Sequence, residues 1–408
     1  MSACGTEQGL ISIDQALALI LDNTQSLSIE TLPVQQALQR YLAQAVYSQI
    51  NLPLFSQSAV DGYAIYADGL IQAETKFELI GEIRAGQSSE FTLQKGQASR
   101  IFTGAKIPEC TTTVARQEIV KIINSEVIQL TEDLKLHSDL RDLGEEVSIG
   151  QCLAEQGQHL TVGAISALSM AGIQQVDVLR YPKIAVVITG DEVAKTVTDF
   201  TSGQIFDANA PLIQAWFKHR NQEVCVFHVA DTQHAVTHLL DDLSKHYDLI
   251  LTTGGVSVGD YDLIRPVALD LGFEQVFWKV KQKPGKPMFF AKLKKPDQSN
   301  CYLLGLPGNP VAVYVGMQIY TETLLKALQG QKTGLQWFTA EISHDLKPDA
   351  RERFLRMSAH FEHAKLSVKN LAKQQSHMLS NLMQANCLVR IPAGETIQAG
   401  NIVQGIFI

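Results

Sequence analysis

The stretch Thr252-Thr253-Gly254-Gly255-Val256-Ser257-Val258-Gly259-Asp260-Tyr261-Asp262 directly follows the apolar run Leu249-Ile250-Leu251. Such a run is typical of a buried parallel strand. The glycines let backbone N–H groups approach an anion closely, and the carboxylates can hold a cation beside it. The stretch matches neither G-x-x-x-x-G-K-[ST] nor G-x-G-x-x-G. It therefore predicts a phosphate and metal site of another kind at a strand's end, or else a glycine-rich connection in which Asp260 or Asp262 caps a helix.

The surrounding residues, from Lys183 to about Gly330, alternate between apolar β-type runs and helical patterns. This alternation is typical of a mostly parallel sheet with flanking helices, whose ligands bind beyond the carboxyl ends of the strands. The predicted order is strand Ile184–Thr189, helix Ala208–His219, strand Val224–Val229, helix His234–Ser244, strand Asp248–Thr253, helix Asp262–Leu271, hairpin Gln275–Lys292, strand Cys301–Leu306 and helix Val311–Leu328.

The regions on either side have other patterns. Apolar residues at helical spacing predict helices over Ile11–Leu21, Val34–Val46 and Thr161–Ala171. Short alternating runs between Phe77 and Leu130 predict a small β domain. Similar runs after Gly330 predict a small β barrel or sandwich at the C-terminal end.

The totals favour a multidomain protein of the cytoplasm. A chain of 408 residues exceeds what one hydrophobic core usually serves, so two to four domains are expected, with a boundary near Tyr181-Pro182. A formal charge of −8 argues against nucleic-acid binding, so any anionic substrate must meet local lysines and arginines. No basic and apolar leader precedes Cys4 and no apolar run approaches membrane-spanning length, so export and membrane insertion are not expected. The cysteines lack a C-x-x-C pair, which predicts neither disulfides nor a zinc knuckle and fits a reducing cytoplasm; they are Cys4, Cys110, Cys152, Cys225, Cys301 and Cys387.

Carboxylates follow two further predicted strands. Asp191 and Glu192 come directly after Ile184–Thr189 and Gly190. A carboxylate there can coordinate Mg²⁺ or act as a base, or the segment can be a solvated turn that caps a helix. Asp231 follows the next strand, and taken alone it is best interpreted as the cap of the next helix.

A stiff basic turn supplies the local positive charge. Lys281-Gln282-Lys283-Pro284-Gly285-Lys286-Pro287 presents its lysines on a backbone restricted by two prolines, as a clamp for phosphate or another oxyanion requires. Pro307-Gly308-Asn309-Pro310 opens the last predicted helix of the α/β region, and the N–H groups of that helix are a second anion-binding element.

Two other chemistries have little support in the sequence. His234 and His238 lie four residues apart on a predicted helix, which permits a metal pair. Without H-E-x-x-H or a nearby cysteine, an exposed helix face is the favoured interpretation. Hydrolysis by a serine nucleophile lacks a G-x-S-x-G elbow and an assignable Ser-His-Asp set.

Taken together, these segments resemble the molybdopterin molybdotransferase family, which includes the E domain of gephyrin, through nearly the whole chain. The resemblance rests on ordered motifs: Ser58-Ala59-Val60-Asp61-Gly62-Tyr63-Ala64, Phe102-Thr103-Gly104-Ala105 with Ile107-Pro108, Arg116-Gln117-Glu118, Thr189-Gly190-Asp191-Glu192, Thr253-Gly254-Gly255-Val256-Ser257-Val258-Gly259-Asp260, Lys283-Pro284-Gly285-Lys286-Pro287 and Gly305-Leu306-Pro307-Gly308-Asn309-Pro310.

The resemblance implies a multidomain fold of α/β plus β type. Its central part is a molybdopterin-binding α/β domain, with a mostly parallel sheet and flanking helices, accompanied by a small β domain, an elongated linking domain and a C-terminal β-barrel-like domain. The implied boundaries are 8–28 for an N-terminal helix that packs on the α/β domain, 29–50 and 148–180 for the linking domain, 51–147 for the small β domain, 181–330 for the α/β domain and 331–408 for the C-terminal domain.

The resemblance also implies an activity. The family inserts molybdate into adenylylated molybdopterin, with Mg²⁺-dependent release of AMP, and so forms molybdenum cofactor. The expected assembly is a homodimer whose cleft lies between domains of both protomers. Other proteins of molybdenum-cofactor biosynthesis are expected partners.

Site roles are implied position by position. Five carboxylates would be catalytic: Glu192, Asp61, Asp231, Asp262 and Glu146. Of these, Mg²⁺ would be held by Glu192, Asp231 and Asp262. The pterin nucleotide would be bound by Thr103, Arg141, Thr253, Gly254, Gly255, Ser257, Gly259, Pro307, Gly308 and Asn309. Molybdate would be bound by Lys283, Lys286, Arg351 and Ser376.

Two alternatives belong to other classes. Dimers of the gephyrin E-domain type also serve as docking platforms, so a non-catalytic scaffold is one. Retention of Glu192, Asp262, Lys283 and Lys286 opposes a purely structural use. The other is a related pterin or nucleotide adenylyltransferase or phosphatase, for which a single α/β module would suffice.

Overall fold

The protein is described by a computed structural model that covers residues 9–87, 91–190, 193–194, 198, 202–257 and 262–408. It divides into two compact units. One is Ile29–Val178, and the other combines the residues up to Ser28 with Leu179–Ile408. Among the described residues, no helix has the length and apolar content needed to cross a membrane.

The first helix, α1, spans Ile13–Asn23 and begins two residues later than predicted because Ser12 caps it. The Ser12 hydroxyl accepts from the Gln15 N–H at 3.1 Å, and the Gln15 side chain accepts from the Ser12 N–H at 2.9 Å. Ile13, Ala16 and Ile20 are buried in the same apolar cluster as the strands of the α/β region, so the helix packs on that region as expected.

The unit Ile29–Val178 is rich in short strands. The elements in chain order are β1 Ile29–Pro33, β2 Val46–Tyr47, β3 Gln57–Ser58, β4 Gly62–Ile65, β5 Lys76–Ile83, β6 Gln97–Ile101, β7 Thr113–Arg116, β8 Val120–Asn124, β9 Val127–Leu130, β10 Leu140–Arg141, β11 Cys152–Ala154, α2 Val162–Met170 and β12 Gln175–Leu179, with short 3₁₀ turns at Val34–Gln36 and Gln117–Ile119. The main sheet has six strands in the order β7-β4-β6-β5-β9-β8.

The helix predicted over Val34–Val46 is wrong. Only Val34–Gln36 forms a single 3₁₀ turn, and Val46 already belongs to β2. Gln39 has a φ of 64°, a left-handed conformation that no α-helix continues through. The apolar residues of this stretch are buried by an irregular chain, so their helical spacing is coincidental.

The elements of the α/β region are β13 Ile184–Thr189, β14 Val193–Ala194, β15 Ile205–Phe206, α3 Asn209–Lys218, β16 Cys225–Val229, α4 Gln233–His246, β17 Leu249–Thr253, α5 Ile264–Asp270, β18 Glu274–Trp278, β19 Gln282–Lys283, β20 Phe289–Lys294, β21 Asn300–Leu306, α6 Pro310–Gly316, a π-helical turn Met317–Thr321 and α7 Glu322–Leu328. Its six-stranded sheet has the order β16-β13-β17-β21-β20-β18. The first four strands are parallel, and β20 runs antiparallel to both of its neighbours, β21 and β18.

The alternation predicted for this region is confirmed. Successive residues of β13 pack into two different apolar clusters, Val186 with α3 and α7, and Val187 with α4 and α5. Both faces of the sheet are thus covered, which explains the continuous apolar runs. β16, the next strand of the sheet after β13 in the chain, lies on one side of β13, and β17 lies on the other side. The direction in which strands are added to the sheet therefore reverses between β13 and β17. Ligands of such sheets bind beyond the carboxyl ends of the strands at this point.

The C-terminal residues form a closed barrel, as predicted. Its strands are β22 Phe338–Ile342, β23 Glu352–Glu362, β24 Lys365–Asn370, β25 Cys387–Ile391 and β26 Ile402–Phe407, with a 3₁₀ turn at Ser380–Met383. Pairing of β23 with β25 closes the ring. β19 leaves the α/β region and pairs in parallel with β23, Gln282 opposite Glu352 and Lys283 opposite Arg353. This pairing joins the basic turn to the barrel.

Candidate active site

A cavity of about 740 Å³ lies where the α/β sheet meets the barrel. Its wall combines the loop after β17, the basic turn after β19, the turn before α6 and the barrel segments that precede β23 and follow β24. It brings together eleven of the residues predicted for the site: Gly254, Gly255, Ser257, Asp262, Lys283, Lys286, Pro307, Gly308, Asn309, Arg351 and Ser376.

The glycine loop requires its glycines. Gly254 and Gly255 have φ values of +87° and +67°, and a Cβ at Gly254 would lie 2.7 Å from Oγ1 of Thr189. The N–H of Gly254 donates to the carbonyl of Leu306 at 3.0 Å, so this amide ties β17 to β21 and is not offered to a ligand. Thr253 is buried at the end of β17, outside the cavity wall.

The turn before α6 connects the α/β region to the barrel. Oδ1 of Asn309 caps α6 by accepting from the Val311 N–H at 3.2 Å, and its amide nitrogen donates to Oγ of Ser376 at 3.3 Å. The carbonyl of Gly308 accepts from the Asn209 amide at 2.9 Å. Asn309 therefore fixes the distance between the helix N-terminus and Ser376.

The basic turn is held by a carboxylate outside the cavity wall. Nζ of Lys283 donates to Oδ2 of Asp349 at 2.8 Å, and Oδ1 of Asp349 accepts from the Arg351 N–H at 3.1 Å. The hydrogen bond from Lys283 keeps the pKa of Asp349 below its usual value. Lys283 is about half exposed and Lys286 is half-buried. Asp349 thus aligns Lys283 and Arg351 on one side of the cavity.

Arg356 was not predicted and lies directly behind the loop that carries Ser376. It is 1% exposed, and its guanidinium donates to the carbonyls of Lys373 at 3.1 Å, Gln375 at 3.2 Å and Met378. Burial lowers its pKa, and among the described residues no carboxylate forms an ion pair with it. The sequence signal is an arginine inside the short apolar run from Phe354 to Met357 of β23.

Four predicted residues belong to the other unit. Oδ1 of Asp61 accepts from both the N–H and the hydroxyl of Thr103, each at 2.8 Å, and the backbone bond lowers the pKa of Asp61. Arg141 lies in β10 opposite Gln57. Glu146 is exposed, and its N–H donates to the carbonyl of Leu52 at 3.0 Å. The site roles of these four residues stay predictions.

The remaining predictions concern the metal carboxylates. Glu192 and Gly259, together with Asp191 and Asp260, lie outside the described residues. The capping role considered for Asp231 is wrong, because Thr232 caps α4 with its hydroxyl 3.4 Å from the Ala235 N–H. Asp231 is not in the cavity wall.

No group of three metal-binding side chains occurs in the part of the chain that the structure describes. Asp262 and Ser257 on the cavity wall supply oxygen atoms, the ligand type of Mg²⁺, which commonly takes only one or two carboxylates besides substrate phosphates and water. This donor set fits Mg²⁺. Asp262 does not cap α5, whose N-cap is Leu263.

Comparison with known proteins agrees with this architecture. Three family profiles match in order: the MoeA N-terminal region (domain I and II) over residues 11–172, a probable molybdopterin binding domain over 185–327, and the MoeA C-terminal region (domain IV) over 339–408.

Relatives of full length are also similar. A molybdopterin molybdenumtransferase of Haemophilus influenzae is 32% identical over 95% of this chain and 98% of its own length. One of Staphylococcus epidermidis is 31% identical over 97% of this chain and 95% of its own. The crystal structure of a molybdopterin biosynthesis MoeA protein from Pyrococcus horikoshii matches 98% of this chain and 99% of its own, with a TM-score of 0.81 and 25% identity. The chain therefore belongs to the molybdopterin molybdenumtransferase, or MoeA, family.

Proposed function

We propose that this protein inserts molybdate into adenylylated molybdopterin and releases AMP, which gives molybdenum cofactor. The observation that carries the proposal is the single cavity in which Lys283, Lys286, Arg351 and Ser376 face the glycine loop and the turn before α6. Cationic and hydroxyl side chains suit a tetrahedral oxyanion, and the opposite wall suits a nucleotide pyrophosphate.

Each part of the wall has a task in this reaction. The four molybdate-binding side chains hold the oxyanion near the dithiolene of the pterin. The backbone after Gly254 and the N-terminus of α6 hold the pyrophosphate, and Asp262 orients water for its cleavage. We assign Glu192 and Asp231 to Mg²⁺ together with Asp262; the ion, when bound, supplies charge neutralisation at the phosphate oxygens.

The rest of the expected setting is part of the same proposal. Asp61, Thr103, Arg141 and Glu146 have the catalytic and nucleotide-binding roles that the resemblance implies, and the protein acts as a homodimer together with other proteins of molybdenum-cofactor biosynthesis. Its five described cysteines are all free, which suits the cytoplasm.

The test is AMP release from adenylylated molybdopterin in the presence of molybdate and Mg²⁺, followed by reconstitution of a cofactor-free molybdenum enzyme. We expect Lys286→Met to raise the KM for molybdate by about tenfold, the loss of one charge-assisted contact. Lys281→Met is the matched control, because Lys281 is exposed on the same turn and is not in the cavity wall. AMP release no faster than in a protein-free control would refute the proposal.

A further inference from the structure

A buried hydrogen bond lies directly behind the basic turn. Tyr320, in the π-helical turn between α6 and α7, donates from its hydroxyl to Oε1 of Gln282. Both side chains are completely buried, with 0% exposure. Such a pair is costly inside a protein unless each polar atom is satisfied, and π-helical turns occur frequently at functional sites. The position of this pair therefore calls for a functional explanation.

Gln282 connects two parts of the oxyanion half of the cavity, the basic turn and Arg351. Its Nε2 donates to the carbonyl of Gly285 at 3.1 Å, which closes the turn that presents Lys283 and Lys286. Its backbone carbonyl accepts from Nη1 of Arg351 at 3.4 Å. The side chain of Gln282 thus fixes the shape of the turn, and its backbone carbonyl holds the guanidinium of Arg351.

Tyr320 and the carbonyl of Gly285 hold the two ends of the Gln282 amide. The carbonyl only accepts, so Nε2 must face Gly285, because a flipped amide would put two acceptor oxygens together there. Oε1 then faces Tyr320 and accepts from its hydroxyl, which holds the amide in this orientation. Burial raises the pKa of Tyr320 well above its ordinary value, so the hydroxyl keeps its proton. The turn also has little freedom of its own, because Gly285 has a φ of +89° and a Cβ there would lie 2.9 Å from Nε2 of Gln282.

We propose that Tyr320 and Gln282 are positioning residues that set the separation of Lys283, Lys286 and Arg351 to fit a tetrahedral oxyanion. They touch neither substrate nor reacting atoms, and they act through the turn. The inference rests on the proposed function of the cavity, because molybdate is the oxyanion assigned to it.

The test compares Tyr320→Phe with Tyr302→Phe. Tyr302 is 1% exposed, in the same unit, and its hydroxyl is also hydrogen-bonded, accepting from the Gln25 N–H at 2.8 Å. It lies at the start of β21, whereas the cavity lies beyond the end of that strand. Tyr302→Phe therefore matches the loss of one buried hydroxyl without touching the basic turn.

In Tyr320→Phe we expect the KM for molybdate to rise roughly tenfold while kcat at saturating molybdate stays within about twofold. Amide hydrogen exchange at Val280 and Gln282, whose N–H groups donate to Lys286 and Val280, should become faster. Tyr302→Phe should leave the molybdate KM and this exchange unchanged. The double variant Tyr320→Phe/Gln282→Met should have a KM for molybdate less than twofold above that of Gln282→Met. The single variant Gln282→Met has already lost the hydrogen bond between the two side chains, so removal of the tyrosine hydroxyl should add little.

The outcomes separate the two proposals. Unchanged KM and unchanged exchange in Tyr320→Phe would overturn the positioning role, and so would equal KM changes in the two tyrosine variants. Absence of AMP release from the wild-type protein would instead refute the proposed function. Faster exchange without any change in KM would show that the pair only stabilises the turn, which also overturns the inference.

Discussion

Replacement of Arg356 by Met should damage both the barrel and the cavity. Met replaces the aliphatic stem of Arg as far as the position of Nε, but it removes the guanidinium that donates to the carbonyls of Lys373, Gln375 and Met378. These bonds hold the loop that carries Ser376. The substitution therefore tests whether the loop depends on a buried cation.

The magnitude follows from the three lost bonds. A hydrogen bond to a charged group contributes about 1.5–3 kcal/mol, which sets an upper limit near 9 kcal/mol. Two terms reduce it: water from the cavity can reach the carbonyls of the loop, and the desolvation of Arg356 itself disappears. We expect the barrel to lose about 3–5 kcal/mol of its free energy of unfolding, the range for breaking buried charged networks.

Arg356→Lys should lie between the wild type and Arg356→Met. It keeps the charge, but a single ammonium cannot reproduce the planar fork that reaches three carbonyls. Exposed Arg84, whose side chain is 70% accessible in the other unit, provides the control Arg84→Met. The control should unfold like the wild type.

The assay is urea unfolding followed by hydrogen exchange of the barrel strands, combined with equilibrium dialysis of molybdate. Arg356→Met should unfold at lower urea concentration and bind molybdate at least tenfold more weakly, because Ser376 loses its support. An Arg356→Met protein that matches Arg84→Met in both measurements would refute the reasoning.

Two further substitutions test the opposite wall of the cavity. Gly254→Ala should lower the free energy of unfolding by about 2–3 kcal/mol, because the new Cβ meets a positive φ and clashes with Thr189. The control Gly334→Ala, where a Cβ would meet open space, should not lower it. Equal unfolding curves for the two variants would contradict this. Asn309→Ala should cost about 1 kcal/mol as a lost helix cap and also weaken molybdate binding, whereas Asn309→Ser should retain the cap but not the reach to Ser376. If Asn309→Ser binds molybdate like the wild type, the contact with Ser376 has no role in binding.

The α/β region could be predicted closely because its signals are local and redundant. β13 Ile184–Thr189 is predicted to the residue, since a strand covered on both faces needs a continuous apolar run. The helix predicted over Val34–Val46 is wrong because Gln39 has a left-handed backbone conformation, which the spacing of apolar residues does not predict. Burial in a regular helix or strand gives a periodic sequence pattern, whereas burial of an irregular linking segment does not.

The cavity wall was predictable where a short motif carries the chemistry, as in the glycine loop and the basic turn. What supports the wall was not. Arg356 donates only to backbone carbonyls, which any residue provides, and Tyr320 meets Gln282 from 38 positions away. Asp231 shows the converse error, because a good capping residue at a strand's end was displaced by its neighbour Thr232. Contacts between residues far apart in the sequence have no local pattern from which they could be predicted.

The charge of the cavity is compatible with the proposed binding of a dianion by an acidic chain. The protein carries a formal charge of −8, but among the described residues of the cavity wall there is one carboxylate, Asp262, and there are five cationic side chains: Lys283, Lys286, Arg351, Arg353 and Lys373. Because charges separated by more than about 8–10 Å are largely screened at physiological salt, this local excess governs binding and the net charge does not. Lys283 already forms an ion pair with Asp349, which lies outside the wall, so its positive charge is partly used to hold the basic turn in place. The proposed oxyanion binding therefore rests on how rigidly the remaining cations are held. Tyr320 and Gln282 are assigned the turn that carries Lys286, and Arg356 holds the backbone of the loop that carries Lys373 and Ser376.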